Sequence, residues 1–263
     1  MSSPNCCPDD GPVDMQPRKV DEMRSPPAGD SDDVVDYMQQ ALTSARKAAY
    51  FWGSLTATVV PGYFGRKMGL VQDFLHWNFI TDRCILGALP VVTKFGDSGN
   101  HLVQLAGQLR TKDQELGLVV ACMEEIEIQG FGVPVITFAD ETAWRQYVNP
   151  DVEYCHVPLE DATADVSFDV VVSAVEQIYQ CVNVRKETAY IHCKAGKGRS
   201  WMMVMCYLTT YGNMKYADAE NLVRANRPQV SPSQPQRDFA MCFAQRMKAC
   251  KNAASCLTRS QNV

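Results

Sequence analysis

The sequence has no excess of basic residues, no C-x-x-C spacing, no basic start followed by an apolar run, and no internal repeat. Each absence removes a class of function. With 25 Lys plus Arg against 30 Asp plus Glu, the net charge is −5. A nucleic-acid binder working by bulk phosphate neutralisation needs the opposite sign, so no nucleic-acid partner is expected. Without C-x-x-C or C-x-x-C…H spacing there is no recognisable metal motif, and no metal or other cofactor is expected. The 11 cysteines are an odd number spread over 263 residues. Several, such as Cys122, Cys181 and Cys206, sit singly inside apolar runs, where a free thiol behaves as a small hydrophobe. A reducing compartment fits this usage better than a disulfide scaffold, and no secretory leader is expected.

The charge is unevenly placed. Residues 1–40 carry nine acidic against three basic residues and six of the 14 prolines, leaving 22 basic and 21 acidic residues in 41–263. A stretch so poor in large apolar side chains cannot offset its ordering entropy, so 1–40 reads as a disordered acidic tail. Cys6-Cys7 within it reads as a chance pair rather than an acylation site. Residues 48–65, AAYFWGSLTATVVPGYFG, hold no charge and lie between Arg46-Lys47 and Arg66-Lys67. That is at the short limit for a spanning helix, and Gly53, Pro61, Gly62 and Gly65 weaken it further. Basic flanks with Tyr50, Trp52, Tyr63 and Phe64 fit contact with a membrane surface through 48–67, and a helix packed on the domain fits equally well. We assign 41–76 to this apolar and basic segment.

From residue 77 the pattern alternates. Apolar runs at 84–89, 117–122, 133–138, 153–158 and 188–192 predict strands, and helical spacing follows at 99–110, 169–182, 200–211, 215–226 and 236–250. This predicts an α/β domain over 77–250, with a central, mostly parallel sheet and helices on both faces, followed by a flexible C-terminus at 251–263.

The chemistry is concentrated in His192-Cys193-Lys194-Ala195-Gly196-Lys197-Gly198-Arg199-Ser200, between a predicted strand and a predicted helix. A loop in that setting turns successive backbone N–H groups into its own concavity, and the helix dipole adds positive potential. A phosphate dianion fits there. Cys193 would lie beneath the phosphorus, with its pKa lowered by the same field. Arg199 offers a bidentate fork to phosphate oxygens, and Gly196 and Gly198 let the backbone curl. Ser200 can donate to the sulfur, while His192 reads as a buried group orienting the loop. A nucleotide-binding P-loop would need Gly at 191 and Ser or Thr at 198, where the chain has Ile191 and Gly198.

H-C-x-x-G-x-x-R-[ST] resembles the signature of the protein tyrosine and dual-specificity phosphatase superfamily. Within it, the chain looks most like the mitochondrial phosphatases that act on phosphatidylglycerophosphate. Trp77 with Ile85-Leu86-Gly87-Ala88-Leu89-Pro90 is similar to that family's entry strand, and Glu124-Glu125-Ile126-Glu127 to its EExE loop. The string CKAGKGR also resembles the loop of a tumour-suppressor phosphatase acting on 3-phosphorylated inositol lipids, so the loop alone does not separate the two. The resemblance spans roughly 45–250. It implies two-step hydrolysis through a phosphocysteine, with Cys193 as nucleophile, Arg199 as clamp and Ser200 as thiolate stabiliser. Its general acid aligns with Asp161, with Glu160 and Asp165 as competitors. It also implies a supporting role for at least one of Glu124, Glu125 and Glu127, and for Gln236.

Lys194 and Lys197 add two cations to the loop, more than a phosphotyrosine peptide requires, and suit an anionic phospholipid. Phosphoinositides and phosphoproteins remain as alternative substrates. The resemblance implies a mitochondrial, inner-membrane-associated location. An acidic N-terminus is the opposite of an ordinary transit peptide, which leaves a cytoplasmic location as the alternative.

Overall fold

In a computed structural model the chain divides into two units, Met1–Leu70 and Val71–Val263. Described residues are 31–67, 76–92, 100–133 and 136–260. In the first unit they form one helix, α1 (Ser31–Lys67). The expected tail 1–40 therefore needs correcting at its end, since residues 31–40 are helical. Asp33 stands in the first turn, where an acidic side chain favours the N-terminal dipole end. The expectation for Cys6-Cys7 lies outside the described residues. Among the described residues, no helix is long and apolar enough to cross a membrane.

The second unit is built on a sheet of five strands: β1 (Trp77–Thr81), β2 (Cys84–Ala88), β3 (Leu116–Cys122), β4 (Glu153–Val157) and β5 (Thr188–Cys193), ordered β1-β2-β5-β3-β4. Only β1 runs antiparallel to its neighbour. Its helices are α2 (His101–Thr111), α3 (Glu125–Ile128), α4 (Glu141–Tyr147), α5 (Phe168–Tyr179), α6 (Arg199–Thr210), α7 (Tyr216–Asn226) and α8 (Gln234–Ser260).

Two apolar clusters lie on opposite faces of the sheet. One joins Ile85, Val119 and Tyr190 to Leu102 and Leu105 of α2 and Trp144 of α4. The other joins Leu86, Val120 and Ile191 to α5, α6, α7 and α8. β2, β3 and β5 are buried along their whole length, as strands covered on both faces must be. Because β5 inserts between β2 and β3, the crossovers around it diverge and open a crevice at its carboxyl end.

Two further expectations are corrected. The described residues of 133–138 form no strand; the backbone turns before them at Gly130, Phe131 and Gly132, all with positive φ, and Phe138 makes only an isolated bridge to Val91. Of the run's described residues Phe138 is buried, Ile136 is half-buried and Val133 is exposed. Residues 251–260 continue α8, which runs past the predicted helix end at 250.

Candidate active site

β5 ends at Cys193 and α6 begins at Arg199, so residues 194–198 form a loop at the crevice. Gly198, the residue before α6, supplies no side-chain cap, leaving the first-turn N–H groups to face the loop's concavity. Gly196 has φ of +65°, and a Cβ there would fall 2.5 Å from the Gly87 carbonyl oxygen of β2. Only glycine meets both demands. The loop is tied to its surroundings by Leu89 N donating to the Lys194 carbonyl (3.2 Å) and Ser231 N to the Lys197 carbonyl (3.0 Å).

Cys193 is buried, and its Sγ lies 3.2 Å from Ser200 Oγ. Burial pushes the thiol up. The Arg199 charge, the Ser200 hydroxyl and the backbone N–H groups of Ser200 and Lys197 outweigh it and bring the thiol below its ordinary value.

Arg199 is 1% exposed. Its Nη1 donates to Glu127 Oε2 and to the Leu159 carbonyl (2.8 Å), and its Nη2 donates to Glu127 Oε1 (3.0 Å). A guanidinium has five N–H donors. Three are used here, on its end, and the two left are Nε–H and one Nη2–H along a single edge. Nε is buried with no hydrogen-bond partner. That free edge is a fork of the shape a phosphate takes up.

Of the acidic run, Glu127 is the residue brought to the site. Glu125 faces solvent and accepts from Gln129 Nε2 (3.1 Å). Glu124 caps α3, its backbone N–H donating to Glu127 Oε2 (3.1 Å).

Asp161 stands across the loop. Its Oδ2 accepts from Lys194 Nζ at 2.7 Å, and its Oδ1 lies 3.5 Å from Arg199 Nε. Burial raises its pKa, but Arg199 and Lys194 overcome that and hold the carboxyl below the usual range. Ala162, the next residue, has φ of +63°, a strained conformation that accompanies this placement. Glu160 and Asp165, the competing acids, are exposed.

His192 is fully buried beside Trp144 and Tyr190, and burial lowers its pKa to about 3. Gln236 accepts from Ser233 N (3.0 Å) and donates to the Thr163 carbonyl (3.1 Å), placing its side chain against Gly198. Lys197 is half-buried on the loop.

Sequence reasoning gave no role to Arg227. It is 2% exposed, and its guanidinium donates to the carbonyls of Gly196 and Ala195 from behind the loop. A lone Arg before Pro at a helix end carries no sequence signal of burial. Nor does the Leu159 carbonyl that holds Arg199.

Residues 110–244 match the dual specificity phosphatase catalytic domain. The chain belongs to the dual specificity phosphatase family. It is an enzyme of phosphatase type. Among curated relatives, the phosphatidylglycerophosphate phosphatase PTPMT1 of Arabidopsis thaliana is 28% identical over 198 residues, 75% of this chain and 49% of the relative. The chain thus spans about half that relative's length. PTPMT2 of the same plant, also named a phosphatidylglycerophosphate phosphatase, is 27% identical over 209 residues, 80% of this chain and 78% of the relative. Among solved structures, PTPMT1 in complex with PI(5)P superposes with a TM-score of 0.53 at 19% identity, covering 67% of this chain and 99% of that one. That likeness is one of fold.

Proposed function

We propose that this phosphatase hydrolyses phosphatidylglycerophosphate through a phosphocysteine on Cys193. The observation that carries the chemistry is the free Nε/Nη2 edge of Arg199, held by Glu127 above a thiol of lowered pKa. The substrate reading is supported by the two relatives named as phosphatidylglycerophosphate phosphatases. Lys194 and Lys197 on the loop add the cations an anionic headgroup calls for.

In the first step the Cys193 thiolate attacks phosphorus while the P–O bond to the leaving alkoxide breaks. Asp161, in its protonated form, gives that oxygen its proton. Backbone N–H groups of the loop and the Arg199 edge hold the equatorial oxygens as charge builds on them. A water then attacks the phosphocysteine, Asp161 takes its proton, and the P–S bond breaks with Ser200 donating to the departing thiolate. With no substrate, Asp161 is ionised because Arg199 and Lys194 face it. An incoming dianion takes up those cations and lets the carboxyl accept a proton. We further propose that residues 48–67 contact an anionic membrane surface and that the enzyme works at the mitochondrial inner membrane. The uncharged run, with aromatic residues and basic flanks, supports the membrane contact, and the location rests on the resemblance to the mitochondrial phosphatidylglycerophosphate phosphatases.

The test is phosphate release by the full chain from phosphatidylglycerophosphate in mixed micelles, a phosphoinositide panel and a phosphotyrosine peptide, with Cys193→Ser as blank. The expected result is a preference for phosphatidylglycerophosphate of about a hundredfold, roughly 2.7 kcal/mol of transition-state discrimination. A profile led by phosphoinositide or peptide overturns the substrate, and turnover surviving in Cys193→Ser overturns the mechanism.

A further inference from the structure

Arg227 is a buried cation with no carboxylate in ion-pair range among the described residues. Its guanidinium donates from Nε to the Gly196 carbonyl (2.8 Å), from Nη2 to the Ala195 carbonyl (3.2 Å) and from Nη1 to Asn78 Oδ1 of β1 (2.6 Å). Burying an unpaired charge costs several kcal/mol unless something nearby gains from it. Arg227 bonds two successive peptide carbonyls of the phosphate loop and one side-chain amide, and all three partners are neutral.

The geometry of the peptide unit supplies the gain. In a trans peptide the C=O and the following N–H point in opposite directions. Drawing the Ala195 and Gly196 carbonyls outward, toward Arg227, turns the N–H groups of Gly196 and Lys197 the other way. The Lys197 N–H is one of those that lower the Cys193 thiol. Gly196 is pressed between Arg227 and β2, since a Cβ there would lie 2.7 Å from Arg227 Nη2. This leaves the loop one way to turn.

We infer that Arg227 is a positioning residue that sets the peptide polarity of the phosphate loop, and that its buried charge is matched by the anion in that loop, first the Cys193 thiolate and then the phosphate. This deepens the reading of Cys193 as nucleophile and rests on it. Asn78 aims the guanidinium from β1. Arg199 works in front of the loop, on the substrate, and Arg227 works behind it, on the backbone.

The experiment compares the full-length wild type with Arg227→Met, Arg227→Lys and Asn78→Ala. The pH midpoint of Cys193 alkylation by iodoacetamide is read by mass spectrometry of the Cys193 peptide. kcat and KM are measured with p-nitrophenyl phosphate, and folding is followed by circular dichroism. Arg227→Met is expected to raise the midpoint by about one pH unit, the size of shift a nearby buried charge produces. It should also lower kcat/KM at least tenfold. Arg227→Lys keeps a charge but not the fork, so it should restore most of the midpoint and leave KM raised. Asn78→Ala should move both in the Arg227→Met direction by a smaller amount, and decides the matter if Arg227→Met does not fold. Folded variants with the wild-type midpoint and KM overturn the inference. A wild type that alkylates at a lowered midpoint yet releases no phosphate from any ester sinks the phosphatase mechanism instead, while the midpoints still judge Arg227.

Discussion

Glu127→Gln is the substitution that most directly tests how the site is held. The carboxylate makes two charge-assisted bonds to Arg199 and accepts a third from Glu124 N, all in a place where the arginine is 1% exposed. An amide of the same shape keeps one acceptor oxygen, and its NH2 faces either Arg199 Nη2–H, in place of Oε1, or both Arg199 Nη1–H and Glu124 N–H, in place of Oε2. At least one contact becomes donor against donor, and the buried Arg199 charge loses its counter-charge. Breaking a buried pair by removing one partner costs about 3–5 kcal/mol, and the retained oxygen puts this case near 3. For a domain of this size that is a fall in Tm of about 6–12 °C. Arg199 also loses the contact that fixes its free edge, and loss of such orientation lowers kcat/KM by about a hundredfold. Thermal unfolding and p-nitrophenyl phosphate kinetics read both. Glu125→Gln is the matched control, two residues away on the surface, and should leave both unchanged. If Glu127→Gln keeps its Tm within about 2 °C and its kcat/KM within about twofold of wild type, the account of Arg199 is wrong.

Two further outcomes follow from the titrating groups. Asp161 must be protonated to act as acid, so kcat/KM falls as pH rises past its pKa, which Lys194 and Arg199 hold low against burial. Lys194→Met removes one of those cations and should move the falling limb to higher pH, while Asp161→Asn should abolish it; a limb that stays put in Lys194→Met refutes the assignment. His192 is buried neutral, its pKa lowered from 6.5 to about 3, so its contribution to stability is full above 6.5 and is lost as pH falls from 6.5 toward 3. At pH 5 the loss is about 2 kcal/mol, so urea unfolding of wild type should lose about that much more between pH 7 and pH 5 than His192→Leu does.

Much of the fold was legible because the buried strands leave continuous apolar runs. β2, β3, β4 and β5 lie within a residue or two of their predicted ranges. β1 was missed because Trp77–Thr81 is a short edge strand with two half-buried polar positions, Asn78 and Thr81, and so carries no such run. Residues 133–138 misled because an apolar run does not by itself report burial: among its described residues Phe138 reaches the core, while Ile136 is half-buried and Val133 exposed. At the site, local chemistry was legible and distant chemistry was not. Cys193, Arg199 and Ser200 lie within eight consecutive residues, where spacing alone carries the pattern. Asp161 was placed by resemblance, and which of three glutamates meets Arg199 depends on the single turn of α3. The Leu159 carbonyl and Arg227 come from elements far along the chain, and no spacing rule connects them to the loop.

The ion pair between Asp161 and Lys194 also bears on product inhibition. With Asp161 Oδ2 at 2.7 Å from Lys194 Nζ, the site carries its own counter-anion. A free inorganic phosphate must displace that carboxylate with nothing to draw on but the loop itself. A substrate brings further contacts outside the loop and outweighs the competitor. The released phosphate, having lost those contacts, is the weaker rival, so re-forming the pair helps expel it and keeps the enzyme open to ester in a solution full of phosphate.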